Sequence, residues 1–220
     1  GLSHRTAPVA LLEKVSVSGE ALRKLVHDVQ QDENVAETMV VSTCNRVEVY
    51  TAVERFHPAV SAVTALLSAH SGVPENELAP HLYVHYEDRA VQHLFRVACG
   101  LDSMIIGETQ ILGQVRDAFL LAQRERATGT LFNMLFKQAV TVGKRAHTET
   151  SIGESAVSVS YAAVELGKRI FGGFGGKTAL IVGAGKMGEL TAKHLNASGI
   201  KRVLVANRTH ERAVEFAERL

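Results

Sequence analysis

Two short stretches of this chain carry residue types and spacings that can do chemistry. The first is Ser42-Thr43-Cys44-Asn45-Arg46. A thiol attacks as its thiolate, and a cation such as Arg46 beside it stabilises that form. A lone cysteine can equally be a small core residue. What sets Cys44 apart is its place between two strand-like runs, with Thr43, Asn45 and Arg46 around it. The second stretch is Val182-Gly183-Ala184-Gly185-Lys186-Met187-Gly188, a GxGxxG that follows an apolar run and opens a helical one. Its glycines allow a tight turn, close approach of a pyrophosphate and close helix–strand packing. The free N–H groups of the helix start favour the anion. A plain glycine-rich turn is the alternative. Further on, Ala206-Asn207-Arg208-Thr209 has no carboxylate for a ribose 2′-hydroxyl. Arg208 can pair with a 2′-phosphate, which favours NADP over NAD; otherwise it is a solvated first-turn residue. A thiolate working with a nicotinamide suggests acyl chemistry. Attack on an acyl carbonyl gives a thioester, and hydride reduces it to an aldehyde.

Other candidates are weaker. Cys99, among apolar neighbours near a helix end, reads as structural. His93, on a helical run, reads by itself as a packed or capping residue rather than an acid–base group. The 10 histidines are scattered, with no His-x₃-His or Cys-x₂-Cys pattern, so no metal site is expected. Glu108, Gln110 and Gln114 sit among apolar residues at a helix start. They either complement the helix dipole or line a polar substrate. Arg116, Arg124, Arg126, Lys137, Lys144 and Arg145 make the middle of the chain locally basic. Interleaved acids make this a solvated face first and a phosphate-backbone surface second.

The elements that must position these residues follow from periodicity. Residues 20–31 carry Leu22, Leu25, Val26 and Val29 at helical spacing. Residues 38–42 are rich in β-formers, and 47–51 alternate like a half-buried strand. Cys44-Asn45-Arg46 between them is expected to be a tight connection with exposed side chains. A helix over 58–70, a short strand over 83–86 and a helix over 87–98 follow, with a weak first strand in 1–6. That order is a split βαβ, ferredoxin-like arrangement. Helices are expected over 110–127, 131–147 and 155–171. The glycines of 172–176 then mark a boundary. Strand 178–182, helix 186–198, strand 202–206 and a helix from Thr209 open a parallel, Rossmann-type α/β domain. The expected fold class is therefore α/β. The expected domains are a catalytic domain over 1–150, a connecting helix over 151–172 and the start of a dinucleotide-binding domain over 173–220.

Composition bounds the rest. The chain has 220 residues, 46% of them apolar, enough for a real core. With 24 basic and 23 acidic residues, overall charge argues neither for nor against nucleic acid. Neither a membrane-spanning run nor a secretory leader is expected. The 2 cysteines read as reduced thiols of a cytoplasmic protein.

Together these motifs resemble the bacterial glutamyl-tRNA reductase family. The resemblance is carried by Gly1-Leu2-Ser3-His4-Arg5-Thr6-Ala7-Pro8, by residues 42–48, 98–114 and 144–158, and by the glycine turn with Ala206-Asn207-Arg208-Thr209. It implies that Cys44 attacks the α-acyl ester of glutamyl-tRNA and that NADPH reduces the thioester to glutamate-1-semialdehyde, the first step of tetrapyrrole synthesis. It also implies a substrate-binding set of Thr43, Asn45, Arg46, Ser103, Glu108, Thr109, Gln110 and Gln114, with Arg46 holding the substrate carboxylate. His93 becomes a catalytic residue, against its reading in isolation. Gly183, Ala184, Gly185, Lys186, Met187, Gly188, Asn207, Arg208 and Thr209 become the NADP site. The family's long spinal helix and helical dimerisation domain imply a V-shaped homodimer, and glutamate-1-semialdehyde aminomutase is an implied downstream partner. Thr109 stands where some members carry Pro, a difference that leaves the chemistry untouched. Most of the NADPH domain and the dimerisation domain are expected to be missing from these residues. Two other readings stay open: a reductase of small acyl thioesters or aldehydes that uses no tRNA, and a non-catalytic module that binds tRNA or a pathway partner.

Overall fold

Residues 39–41 of the second strand are consecutive and all buried. Successive side chains on a strand point to opposite faces, so both faces of this strand are covered. That is why Met39-Val40-Val41 is a continuous apolar run and not an alternating one. The strand is β2 (Val35–Ser42), and it pairs antiparallel with β3 (Arg46–Val53), which pairs antiparallel with the short β1 (Leu2–Ser3). The computed structural model describes residues 1–152 and 159–220. The first four residues of the helix expected from 155 lie outside them.

The chain forms two compact units, Gly1–Ala156 and Val157–Leu220. In the first, β1 is followed by α1 (Val9–Val15) and the amphipathic α2 (Gly19–Gln30), whose Leu25, Val26 and Val29 are buried. After β3 come α3 (Phe56–Ser71), the single turn α4 (Glu75–Leu78) and a 3₁₀ turn over Ala79–His81. Three longer helices complete the unit: α5 (Asp88–Ala98), α6 (Gln110–Arg124) and α7 (Thr130–Glu149). Both α2 and α6 pack on β2.

The strand expected over 83–86 does not form. The segment's backbone link to the sheet is a pair of hydrogen bonds between Tyr83 and Gly1, the residue before β1. The three strands run in the order β1-β3-β2. Tyr83 therefore occupies the fourth position of a ferredoxin-like sheet without continuing its ladder. The polar positions of β3 also differ from expectation. Arg46 and Glu48 are 1% and 3% exposed, so the alternating face is buried and not solvated.

Glu37 ties α7 to the sheet. Its carboxylate accepts the N–H groups of Gly129 (2.6 Å), Leu131 (3.2 Å) and Phe132 (2.8 Å), which the first turn of a helix leaves without partners. Nearby, the Phe136 ring meets Tyr50, Phe119 and Phe132 at centroid distances of 5.1–5.7 Å, locking α6 and α7 onto β3.

The second unit contains α8 (Val159–Phe171), β4 (Thr178–Val182), α9 (Lys186–Ala197), β5 (Arg202–Ala206) and α10 (His210–Glu218). Strands β4 and β5 pair in parallel. Val164, Phe174, Ile181, Ala192, Leu195 and Phe216 form its core. On β4, Leu180 and Val182 are 62% and 80% exposed, because a two-stranded sheet with one crossover helix covers only part of its surface. Among the described residues no helix is long and apolar enough to cross a membrane.

Candidate active site

The β2–β3 turn is closed by its own threonine. Thr43 N–H donates to the Arg46 carbonyl at 2.8 Å. The Thr43 Oγ1 accepts the N–H groups of Asn45 and Arg46, each at 3.1 Å. Neighbouring segments clamp the turn from outside. Ser16 Oγ donates to the Thr43 carbonyl at 3.1 Å, Val17 N–H to Ser42 Oγ at 3.0 Å, and His4 N–H to the Asn45 carbonyl at 2.9 Å. With the backbone groups of Thr43, Asn45 and Arg46 engaged, the turn presents Cys44 outward, where its side chain is exposed. Cys99 is buried, as its structural reading expects.

Arg46 departs from the exposed connection expected of it. Its guanidinium turns inward, donating from Nη1 to Glu48 Oε1 at 2.7 Å and from Nη2 to the Asp102 carbonyl at 2.6 Å and carboxylate at 3.1 Å. On the other side of Asp102, at 3.5 Å, lies Arg5, whose side chain is 53% exposed.

Glu48 is the hub beneath the turn. Besides Arg46 it accepts His93 Nε2 at 2.8 Å, the Tyr50 hydroxyl at 2.5 Å and the Tyr83 hydroxyl. Burial alone raises a carboxyl group. Here the His93 hydrogen bond and the Arg46 charge overcome burial and hold Glu48 well below the usual carboxylate range. His93 is in turn packed against His85 and Tyr83, with ring centroids at 4.5 and 5.4 Å. The structure thus gives His93 a definite hydrogen-bonding role on the hub, which its isolated position on a helix did not suggest. Glu48, Asp102, Tyr50 and Tyr83 escaped the sequence reading. The available signal was Arg46-x-Glu48-x-Tyr50, three polar residues on one face of a strand whose other face is apolar.

The thiol meets a different environment from the one expected. Burial and then the nearby Glu108 carboxylate push Cys44 up. Glu108 is itself raised by burial, against the pull of Arg46. The loop carrying Glu108 is fixed by backbone packing. Gly107 has φ +81°, and a Cβ there would lie 2.4 Å from the Ile152 carbonyl oxygen, so only glycine fits. Ser103 is buried, whereas Thr109, Gln110 and Gln114 are exposed at the start of α6. The structure therefore brings Thr43, Asn45, Arg46 and Glu108 together around Cys44 and places His93 below them.

In the second unit, the glycine turn opens α9 with Gly185 as N-cap. Gly183 has φ +107° and its N–H donates to the Ala206 carbonyl at 2.7 Å. A Cβ on Gly188 would lie 2.8 Å from the Gly183 carbonyl oxygen, and nothing lies within 4 Å of one built on Gly185. Asn207 links the two loops, accepting Ala184 N–H at 3.3 Å and donating to the Thr209 carbonyl at 2.8 Å. Arg208 is exposed beside it. A glycine-lined helix start of this kind fits a dinucleotide pyrophosphate.

Residues 1–150 match the family model of the glutamyl-tRNA reductase N-terminal domain. The chain belongs to the glutamyl-tRNA reductase family. Residues 165–220 match the shikimate/quinate 5-dehydrogenase model, in keeping with a dehydrogenase-type second unit. Among curated relatives, the glutamyl-tRNA reductases of Paenibacillus macerans and Brevibacillus brevis are 57% and 55% identical over 99% and 100% of this chain. This chain covers 50% and 48% of their respective lengths, so it spans about half of the glutamyl-tRNA reductases it matches. A glutamyl-tRNA reductase structure from Methanopyrus kandleri superposes with a TM-score of 0.63 at 40% identity, over 99% of this chain and 51% of that one.

Proposed function

We propose that this chain performs the acyl-transfer chemistry of glutamyl-tRNA reduction and carries the binding turn for the reductant, NADPH. The observation that carries the reading is Cys44, exposed at the tip of a hydrogen-bonded turn, above a buried charge network and within a family of glutamyl-tRNA reductases. Cys44 attacks the α-acyl carbon of glutamyl-tRNA and tRNA leaves. Thr43 holds the turn, and Asn45, Ser103, Thr109, Gln110 and Gln114 contact the substrate around it. Arg46 and Arg5 supply positive charge for the glutamyl carboxylate, and Glu108 takes up the thiol proton. Glu48 and His93 brace Arg46 from below. NADPH, when bound, supplies the hydride that converts the thioester to glutamate-1-semialdehyde. Gly183, Ala184, Gly185, Lys186, Met187 and Gly188 with Asn207 and Thr209 hold its pyrophosphate end, and Arg208 its 2′-phosphate. In the longer protein we assign a homodimer, a cytoplasmic setting and hand-over of the aldehyde to the aminomutase, on the family resemblance alone.

The test is mass spectrometry of the chain after incubation with glutamyl-tRNA without NADPH. A glutamyl adduct on Cys44 and not on Cys99 is the expected result. An adduct from acyl-CoA but not glutamyl-tRNA replaces the reading with a tRNA-independent acyl reductase. Binding of tRNA without any adduct replaces it with a non-catalytic module.

A further inference from the structure

His4 stands where the β1–β3 ladder runs out. The pairs Leu2↔Val47 and Ser3↔Arg46 are followed by His4 N–H donating to the Asn45 carbonyl at 2.9 Å. His4 is therefore anchored one residue from Cys44. Its ring is partly buried beside the Asn45 carbonyl, and Nδ1 is shielded from water without a well-aligned hydrogen bond among the described residues. This contrasts with the turn itself, where Thr43 satisfies the Asn45 and Arg46 N–H groups. A shielded ring nitrogen is unfavourable until something pairs with it.

Three charged groups face the ring: Arg46 from β3, Arg5 beside it in the chain, and Asp102 from the loop before α6. Burial and then the two guanidinium groups lower His4, against the pull of Asp102 and the Asn45 carbonyl, a balance that favours the neutral ring. An ammonium group is repelled by two guanidinium neighbours, whereas an ester or hydroxyl oxygen suits a neutral imidazole.

We propose that His4 is a substrate-binding residue of the Cys44 site, whose Nδ1 hydrogen-bonds an oxygen of the acyl ester as the ester meets the thiol. This rests on the acyl-transfer reading above. In that step the Cys44 S–H bond breaks and a C–S bond forms at the acyl carbon. The ester C–O bond breaks, and the thiol proton ends on the ribose oxygen of the released tRNA.

The test follows Cys44 acylation by glutamyl-tRNA in the full chain, without NADPH, for wild type, His4→Ala and His4→Asn. The Asn amide reaches roughly the position of Nδ1. Loss of one neutral hydrogen bond should raise the half-saturating glutamyl-tRNA concentration about three- to ten-fold in His4→Ala. Maximal acylation should change much less, and His4→Asn should recover part of the loss. Iodoacetamide alkylation of Cys44 should stay near the wild-type rate, reporting an intact turn. Unchanged half-saturation in His4→Ala overturns the proposal. Alkylation slowed as much as acylation also overturns it, by assigning the ring to holding the turn. Absence of any adduct on the wild-type chain overturns the acyl-transfer reading itself, and this proposal with it.

Discussion

Arg46 and Glu48 lie two positions apart on one strand and join at 2.7 Å, with side chains only 2% and 4% exposed. A buried ion pair is tolerated only when its remaining donors and acceptors are also matched. Here Asp102 matches Arg46, while His93, Tyr50 and Tyr83 match Glu48. Glu48→Gln leaves Arg46 without its nearest counter-charge and should destabilise the first unit by about 3 kcal/mol. Because folding lowers Glu48 below its ordinary 4.5, its contribution is complete above that pH and fades as pH falls further. Urea unfolding followed by circular dichroism should show the wild type and the variant converging below pH 4.5. A gap that stays constant into acid contradicts the assignment.

Glu108 and Cys44 give a second prediction. Removing the carboxylate charge with Glu108→Gln should lower the Cys44 thiol toward its ordinary range and speed alkylation by iodoacetamide at slightly alkaline pH a few-fold. The pH midpoint of the alkylation rate should move down. If Glu108 also takes up the thiol proton, acyl transfer from glutamyl-tRNA slows in the same variant. Faster alkylation with slower acylation is the expected pair of results.

Glu37 concerns stability without chemistry. Glu37→Ala strips three N–H groups at the start of α7 of their acceptor. The expected cost is about 1–2 kcal/mol, the range for lost helix caps. Thermal unfolding should show it as a lower midpoint, while Cys44 alkylation in the folded protein stays as in wild type.

Gly188→Ala tests the second unit. Its Cβ would press on the Gly183 carbonyl at 2.8 Å and force apart the turn and α9. NADPH binding, read by quenching of the nicotinamide fluorescence or by calorimetry, should weaken at least about ten-fold, a loss of roughly 1.4 kcal/mol. Gly185→Ala, where a Cβ meets no protein atom, should leave the fold intact and weaken NADPH alone.

Most of this architecture is legible in the sequence. Helix α2 is read from its stripe of Leu22, Leu25, Val26 and Val29, and β4, α9 and β5 from an apolar run, a glycine turn and a second apolar run. The Thr43–Arg46 turn is placed by the break between two β-rich stretches. What escaped is the polar face of β3. Alternation states that Arg46, Glu48 and Tyr50 share a face, but not whether water or protein covers it. The cover comes from Tyr83, His93 and Asp102, between 35 and 56 positions beyond those they bind. The strand expected at 83–86 failed for a related reason. Its residues suit an extended backbone, but only Tyr83 finds a backbone partner, Gly1, just ahead of the two-residue β1.

The Thr43 turn closes within four residues, whereas the bed beneath it joins Arg46 to Asp102 across 56 positions and Glu48 to His93 across 45. Contacts between distant positions form late, because long loops must first be closed. During synthesis the hairpin emerges before the residues that seal it. A newly made chain thus displays its sulfur while the arginine behind it is still open to water, and the bed beneath the turn closes only when α5 and the following loop dock.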